Sequence, residues 1–217
     1  MGLGDTTVCL DGTWVRTDAE LVEVYKRRIT AHGFSGRTMF YRDERQHQSK
    51  IEQYLELLGR TVSPGESLLD VGCGYGSLAP HLPDCRYVGI DLVPELVAHA
   101  RQAHSGYEFR VQNVADCTET FDWCVLLGVV NAIPNPERVL RLSWQRCVRG
   151  LLVDFVDQEK LDPSTANLNR FDLRECRSSI AQLGARTVEM HTTSSVWTIF
   201  LARKAVSSRS IVDPAGT

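Results

Sequence analysis

The sequence predicts an α/β protein: a doubly wound, mostly parallel sheet with a helical N-terminal cap and an antiparallel C-terminal hairpin. Three observations predict it. Between Ser67 and Phe155 short apolar runs alternate with helical segments, and parallel strands need crossovers of that kind, with helices laid on both faces. A Gly-rich turn, Gly72 to Gly76, follows the first of these runs directly. The final two runs, Ala185 to His191 and Val196 to Arg203, are separated only by Thr192 to Ser195. A gap so short cannot hold a crossover, so these two runs must pair antiparallel.

The elements follow in order. Thr17-Asp18-Ala19-Glu20 has the form of a capping box, and Leu21, Val24 and Tyr25 continue at helical spacing until Gly33 and Gly36. A second helix is expected from Asp43 to Leu58, with Ile51, Tyr54, Leu55 and Leu58 on one stripe, before the turn Ser63-Pro64-Gly65. Strands are expected at Ser67–Val71, Tyr87–Ile90, Tyr107–Val111, Phe121–Leu127 and Gly150–Phe155, each too short for a helix. Helices are expected between them at Ser77–Leu82, Pro94–Ala103 and Pro136–Val148. Asp172 to Leu183 reads as a last helix, capped by Asp172 and stopped by Gly184. The chain thus divides into a cap (1–60), a core (61–204) and a polar tail (205–217) expected to be disordered.

Composition narrows the function. With 217 residues, 43% hydrophobic and 24% charged, the chain has the makeup of one globular unit. No apolar run approaches the roughly 18 residues of a membrane span, and the N-terminus lacks the pattern of a signal peptide. A soluble, cytoplasmic protein is therefore expected. Seven widely spaced cysteines without a Cys-x-x-Cys pair fit reduced thiols better than disulfides, and no metal site is expected. A net charge of -3 argues against a general nucleic-acid binder. Charge is unevenly spread, since Arg16 to Lys50 holds eight Lys/Arg against five Asp/Glu, which reads most simply as a solvated helical face.

The chemistry begins at the Gly-rich turn. Glycines let the backbone turn sharply and approach a ligand, and the segment after them offers free N–H groups. A dinucleotide fingerprint wants Gly-x-Gly-x-x-Gly. Here the order is Asp70-x-Gly72-x-Gly74-x-Gly76, with no glycine at 77. An acid ahead of the glycines suits an ammonium group and would repel a pyrophosphate. Asp91 ends the second strand twenty-one residues after Asp70, placed to accept both ribose hydroxyls of an adenosine. It reads alternatively as the cap of the next helix.

These segments (Ser67–Gly76, Tyr87–Leu92, Phe109–Val114 and Phe121–Gly128) together resemble the successive motifs of the class I S-adenosylmethionine (SAM)-dependent methyltransferases. The terminal hairpin resembles the end of that family's seven-stranded sheet. The likeness covers about residues 60 to 203. It implies that Gly72, Cys73 and Gly74 pass under the methionine part of SAM, with Asp70 near its ammonium. Asp91 would hold the ribose and Leu92 would pack on the adenine. Asn113, often an acid in the family, would reach the adenine amino group beside the Val114 amide. Leu127 and Gly128 would line the passage to the methyl group.

The acceptor is less legible. Methyl transfer needs alignment above all, and a general base only where the acceptor sheds a proton. The stretch after the fourth strand, Gly128 to Pro136, lacks the Asn/Asp-Pro-Pro-Tyr/Phe motif of amide- and base-methylating enzymes. A small-molecule acceptor is therefore expected, methylated on O or N. An RNA or protein acceptor, or a SAM-binding module without catalysis, are the alternatives. The acceptor site is expected under the N-terminal helices and the loop from Val156 to Arg170. His47, Tyr41 and Asn131 are the candidates for catalysis, and Tyr25, Arg42 and Arg45 for substrate binding. Each has a plainer reading: Tyr25 sits at core spacing, a lone His is commonly a surface residue, and the two arginines have Asp43 and Glu44 beside them.

Overall fold

A computed structural model describes residues 7–82, 84–160, 168–192 and 196–205. The chain opens with a hairpin, β1 (Val8–Leu10) and β2 (Thr13–Val15), before helix α1 (Asp18–His32) and helix α2 (Glu44–Thr61). Strands β3 (Ser67–Val71), β4 (Arg86–Asp91), β5 (Glu108–Val111), β6 (Phe121–Leu126) and β7 (Cys147–Val156) follow, with α3 (Pro94–Ala103) after β4 and α4 (Pro136–Arg146) after β6. Helix α5 (Leu173–Gln182) leads into β8 (Thr187–Thr192) and β9 (Trp197–Arg203). The large sheet has seven strands in the order β5-β4-β3-β6-β7-β9-β8. Pairs among the first five are parallel, and β9 runs antiparallel to both its neighbours. This is the doubly wound α/β sheet with a closing hairpin that the sequence predicts.

Why the sheet is covered on both faces is visible within single strands, because successive side chains point to opposite faces. Leu69, Leu126 and Val153 enter one core with Phe155 and Phe200. Their neighbours Leu68, Val125 and Leu152 enter the other, against Ile51, Tyr54 and Leu58 of α2 and Val97 of α3. A strand buried on both sides must be continuously apolar, as Leu68-Leu69 and Leu151-Leu152-Val153 are. Burial of each such side chain favours folding by about 1.5–3 kcal/mol.

Three expectations need correction. The N-terminal region is not purely helical: Asp11 and Gly12, both with positive φ (48° and 76°), make a tight turn between two strands. Asp-Gly is a strong hairpin signal for this reason. The segment Ser77–Leu82 forms only a 3-10 turn over Ala79–His81, and Leu82 is already extended, as expected before a proline, here Pro83. Helix α4 stops at Arg146, and Cys147 and Val148 start a ten-residue strand. The capping box at Thr17 is present with both its bonds, Asp172 caps its helix as expected, and Asp43 caps the second helix. Residues 161–167 of the loop expected to roof the acceptor, and 206–217 of the tail, lie outside the described residues.

Candidate functional site

The site is built at the carboxyl ends of β3, β4, β5 and β6. After Val71 the chain leaves the sheet through Gly72, Gly74 and Gly76, all at positive φ (73°, 56° and 80°). The amides of Gly72 and Cys73 both bond to the Ile90 carbonyl (2.8 and 3.0 Å), which ties the turn to the end of β4. Asp91 braces it further: one carboxylate oxygen accepts from Gly74 N and the other from Val93 N, each at 2.9 Å. Asp91 is therefore both a turn brace and a partner of the α3 approach, and each oxygen keeps a second lone pair.

Asp70 is buried behind this turn. Its Oδ2 accepts from Tyr87 Oη at 2.7 Å, while Oδ1 is buried without a hydrogen-bond partner among the described residues. Burial pushes its carboxyl up to about 7, the Tyr87 bond pulls it down, and the Asp91 charge adds to the rise. An orphaned buried carboxylate oxygen invites a cation.

Two adjoining cavities flank the turn, both bordered by Met39, Gly72 and Leu127. The first runs along the strand ends, past Asp91 and Leu92 to Asn113 and Val114, and is covered by Tyr25 and Asp18 of α1. Burial raises the Tyr25 phenol, and the Asp91 charge raises it further. The second lies over Asp70, Cys73 and Gly128 and is closed by Tyr41 and His47. A side chain on Gly72 would come within 2.6 Å of Val129, and one on Gly74 within 2.7 Å of Met39. The glycines thus let Val129 and Met39 pack directly on the turn backbone, which any other residue would prevent.

His47 reaches this cavity because α2 begins one turn earlier on its Asp43 cap and the loop before it folds back. Glu44 accepts from Gly36 N at 2.7 Å, Tyr41 N bonds the Gly36 carbonyl at 2.9 Å, and Gly36 packs against the His47 Cβ so closely that a side chain would not fit. His47 is buried. Its Nδ1 lies 3.2 Å from Glu44 Oε1 and 2.9 Å from Tyr75 Oη, and its Nε2 lies 3.4 Å from Ser77 Oγ. The Tyr41 ring stacks on the imidazole at 4.8 Å. Burial lowers the His47 pKa against the opposing pull of Glu44, so the ring is neutral at pH 7. Burial lifts the Tyr41 phenol well above its usual value, with the Asp154 charge contributing, so it stays protonated.

The remaining candidates stand elsewhere. Arg42, just before the Asp43 cap, and Arg45, in the first turn of α2, are exposed; Arg42 pairs with Asp43 at 3.2 Å, and both border a separate recess with Lys50 and Trp197. Asn131 is buried in structural bonds: its Nδ2 donates to the Asp154 carbonyl (3.1 Å) and carboxylate (3.2 Å), and its Oδ1 accepts from Val156 N (2.8 Å). Asn113 caps the next turn through Ala115 N (2.9 Å) and donates its Nδ2 to Asp18 Oδ2 (2.7 Å).

Sequence reasoning passed over Lys50 and Asp154. They form a buried ion pair at 3.1 Å, and Asp154 Oδ1 also accepts from Gly128 N (2.6 Å) and Tyr54 Oη (2.9 Å). The signals existed: an acid inside the apolar run Leu151–Val156, and a lysine on the stripe that carries His47, Ile51 and Tyr54.

A profile of the methyltransferase domain family matches residues 62–195. The chain belongs to the class I SAM-dependent methyltransferases. Its curated relatives include the ubiquinone biosynthesis O-methyltransferase of Xanthomonas campestris pv. campestris (strain B100), 32% identical over 92 residues, 38% of this chain and 38% of that protein. The ribosomal protein L11 methyltransferase of Burkholderia vietnamiensis is 47% identical over 93 residues, 40% of this chain and 29% of that protein. The chain therefore matches well under half the length of these relatives. Among solved structures, the magnesium protoporphyrin IX methyltransferase of Synechocystis PCC 6803 with bound SAM superposes with a TM-score of 0.62 at 20% identity, over 73% of this chain and 80% of that one. That likeness speaks to the fold. For this methyltransferase chain, the orphaned Asp70 oxygen and the bordering cavities fit the methyl donor. No helix among the described residues is long and apolar enough to cross a membrane.

Proposed function

We propose that this chain transfers a methyl group from SAM to an O or N atom of a small molecule, with His47 as general base. The carrying observation is the buried imidazole of His47 bordering the same cavity as Asp70, Gly72 and Gly128, where burial holds its pKa below the usual value. In this reading residues 1–60 are the cap that closes the site and 61–204 the SAM-binding core.

Bound SAM supplies a methyl carbon on a positively charged sulfur, which the acceptor displaces in line. Asp70 holds the ammonium with its free Oδ1, and Gly72, Cys73 and Gly74 pass beneath the methionine portion. Asp91 holds the ribose hydroxyls, while Leu92 packs on the adenine near Asn113 and Val114. Leu127 and Gly128 line the passage to the methyl carbon. Glu44 keeps a proton on His47 Nδ1, which leaves Nε2 to take the proton lost by the acceptor as the new bond forms. Tyr41 donates a hydrogen bond rather than accepting a proton, and Tyr25 shields the ribose from water. Excluding water and aligning the nucleophile supply most of the acceleration.

The name of the ubiquinone-pathway relative supports an oxygen acceptor, and the little room left between Tyr41, His47 and Gly128 supports a small one. The ribosomal-protein relative favours a second reading, a protein acceptor. Incubating the chain with methyl-tritiated SAM and cell extract, then separating small molecules, RNA and protein, decides between them. Label is expected in the small-molecule fraction, and label confined to protein or RNA overturns the first reading. With the acceptor in hand, His47→Gln is expected to lower kcat by about 10²–10⁴ while S-adenosylhomocysteine affinity stays unchanged.

A further inference from the structure

We propose that Asp18, in the first turn of α1, accepts the hydrogen bond from the exocyclic amino group of the adenine, so that the cap selects the nucleobase. The inference rests on reading the strand-end cavity as the nucleoside pocket.

Adenine presents an amino donor at C6, and a pocket that prefers it to a 6-oxo purine must place an acceptor there. Asp91 stands at the turn, with its oxygens accepting from Gly74 N and Val93 N. Asn113 is nearer the far end, but its orientation is fixed from both sides. The Ala115 amide is an obligatory donor and holds Oδ1 at 2.9 Å; the Asp18 carboxylate is an acceptor and holds Nδ2 at 2.7 Å. The amide therefore turns its oxygen to the backbone and its amino group to Asp18. Asp18 borders the same cavity. Its Oδ2 keeps one lone pair, and its Oδ1 accepts no hydrogen bond among the described residues. An ionised carboxylate is also the stronger acceptor. Asn113 aims that carboxylate, acting as a positioning residue across 95 positions of sequence. Nucleobase binding then holds α1 against the end of β5.

The experiment compares S-adenosylhomocysteine with S-inosylhomocysteine, which carries a carbonyl in place of the amino group, by calorimetry on the full chain. The wild type is expected to prefer the adenine compound by about tenfold or more, the size of one charge-assisted hydrogen bond. Asp18→Asn keeps the helix start and is expected to reduce that preference to about threefold or less, mainly by weakening the adenine compound. Asn113→Ala keeps the carboxylate but no longer aims it, and is expected to weaken the adenine compound and lower the preference by less than Asp18→Asn does. The proposal is overturned if Asp18→Asn keeps the wild-type preference, or if it weakens both compounds equally, as loss of a merely structural contact would. A wild type that binds neither compound removes the nucleoside pocket itself, an outcome distinct from loss of selectivity.

Discussion

At the scale of single residues, Asp70 makes the sharpest statement about pH. Its carboxyl, ordinarily near 3.8, is lifted to about 7 by burial, so the free protein holds its proton more tightly than the unfolded chain does. In the fold alone this contribution is fully present below the unfolded value and is lost as pH rises through about 7. Ligand binding has the opposite sign, because a bound ammonium favours the carboxylate. S-adenosylhomocysteine affinity should therefore rise with pH, by up to about tenfold per unit below 7, and level off above it. Calorimetry at pH 6, 7 and 8 checks this, and Asp70→Asn should flatten the curve; a wild type already flat would place the ammonium elsewhere. Residue roles were unevenly legible. Asp70, Gly72 and Asp91 announce themselves because their spacing is dictated by the turn. Asn131 looked equally exposed to chemistry after the fourth strand, yet its amide is consumed by Asp154 and Val156. Hydrogen-bond partners from distant strands leave no local trace in a sequence.

At the scale of elements, the Gly-rich turn couples backbone geometry to packing. Gly72 has φ of 73° and its missing Cβ faces Val129. Gly72→Ala should cost about 1–3 kcal/mol in urea denaturation and weaken S-adenosylhomocysteine binding. Adding Val129→Ala should recover the steric part but not the part due to positive φ. If the single variant unfolds and binds like wild type, the turn is more plastic than the structure indicates. Strands and caps were legible here because period and capping chemistry are local. The β1–β2 hairpin was missed despite Asp11-Gly12, since three-residue strands show too little alternation to compete with the helix that follows. Helix α2 is legible from its stripe and His47 as a candidate from its type, but the charge excess over Arg16 to Lys50 reads as a solvated face and hides Lys50. His47 and Lys50 in fact share its buried stripe, four residues before Ile51 and Tyr54 respectively. Amphipathic spacing tells which face is inward, and a charged residue on that face is a hidden partnership.

At the scale of the whole molecule, Lys50 and Asp154 join helix α2 to the sheet interior, with Tyr54, Gly128 and Asn131 bonded to the same carboxylate. Burial lowers the Lys50 pKa while Asp154 opposes it. Lys50→Met leaves a buried carboxylate without its cation and should destabilise the fold by about 3–5 kcal/mol. Urea unfolding measures it, and Lys50→Met with Asp154→Asn should regain part of the loss. A single variant as stable as wild type would mean that the pair contributes nothing to the fold. The position of β9 has a consequence for how the protein is made. It is buried along nearly its whole length between β7 and the largely exposed β8. Until Arg203 has been synthesised, β7 has no neighbour on that side, and Phe200 is missing from one core and Ile199 and Leu201 from the other. A nascent chain therefore carries an open, apolar strand edge on β7 from the time that strand is made until β9 follows it, and its sheet closes by insertion of a late strand rather than by addition at the rim.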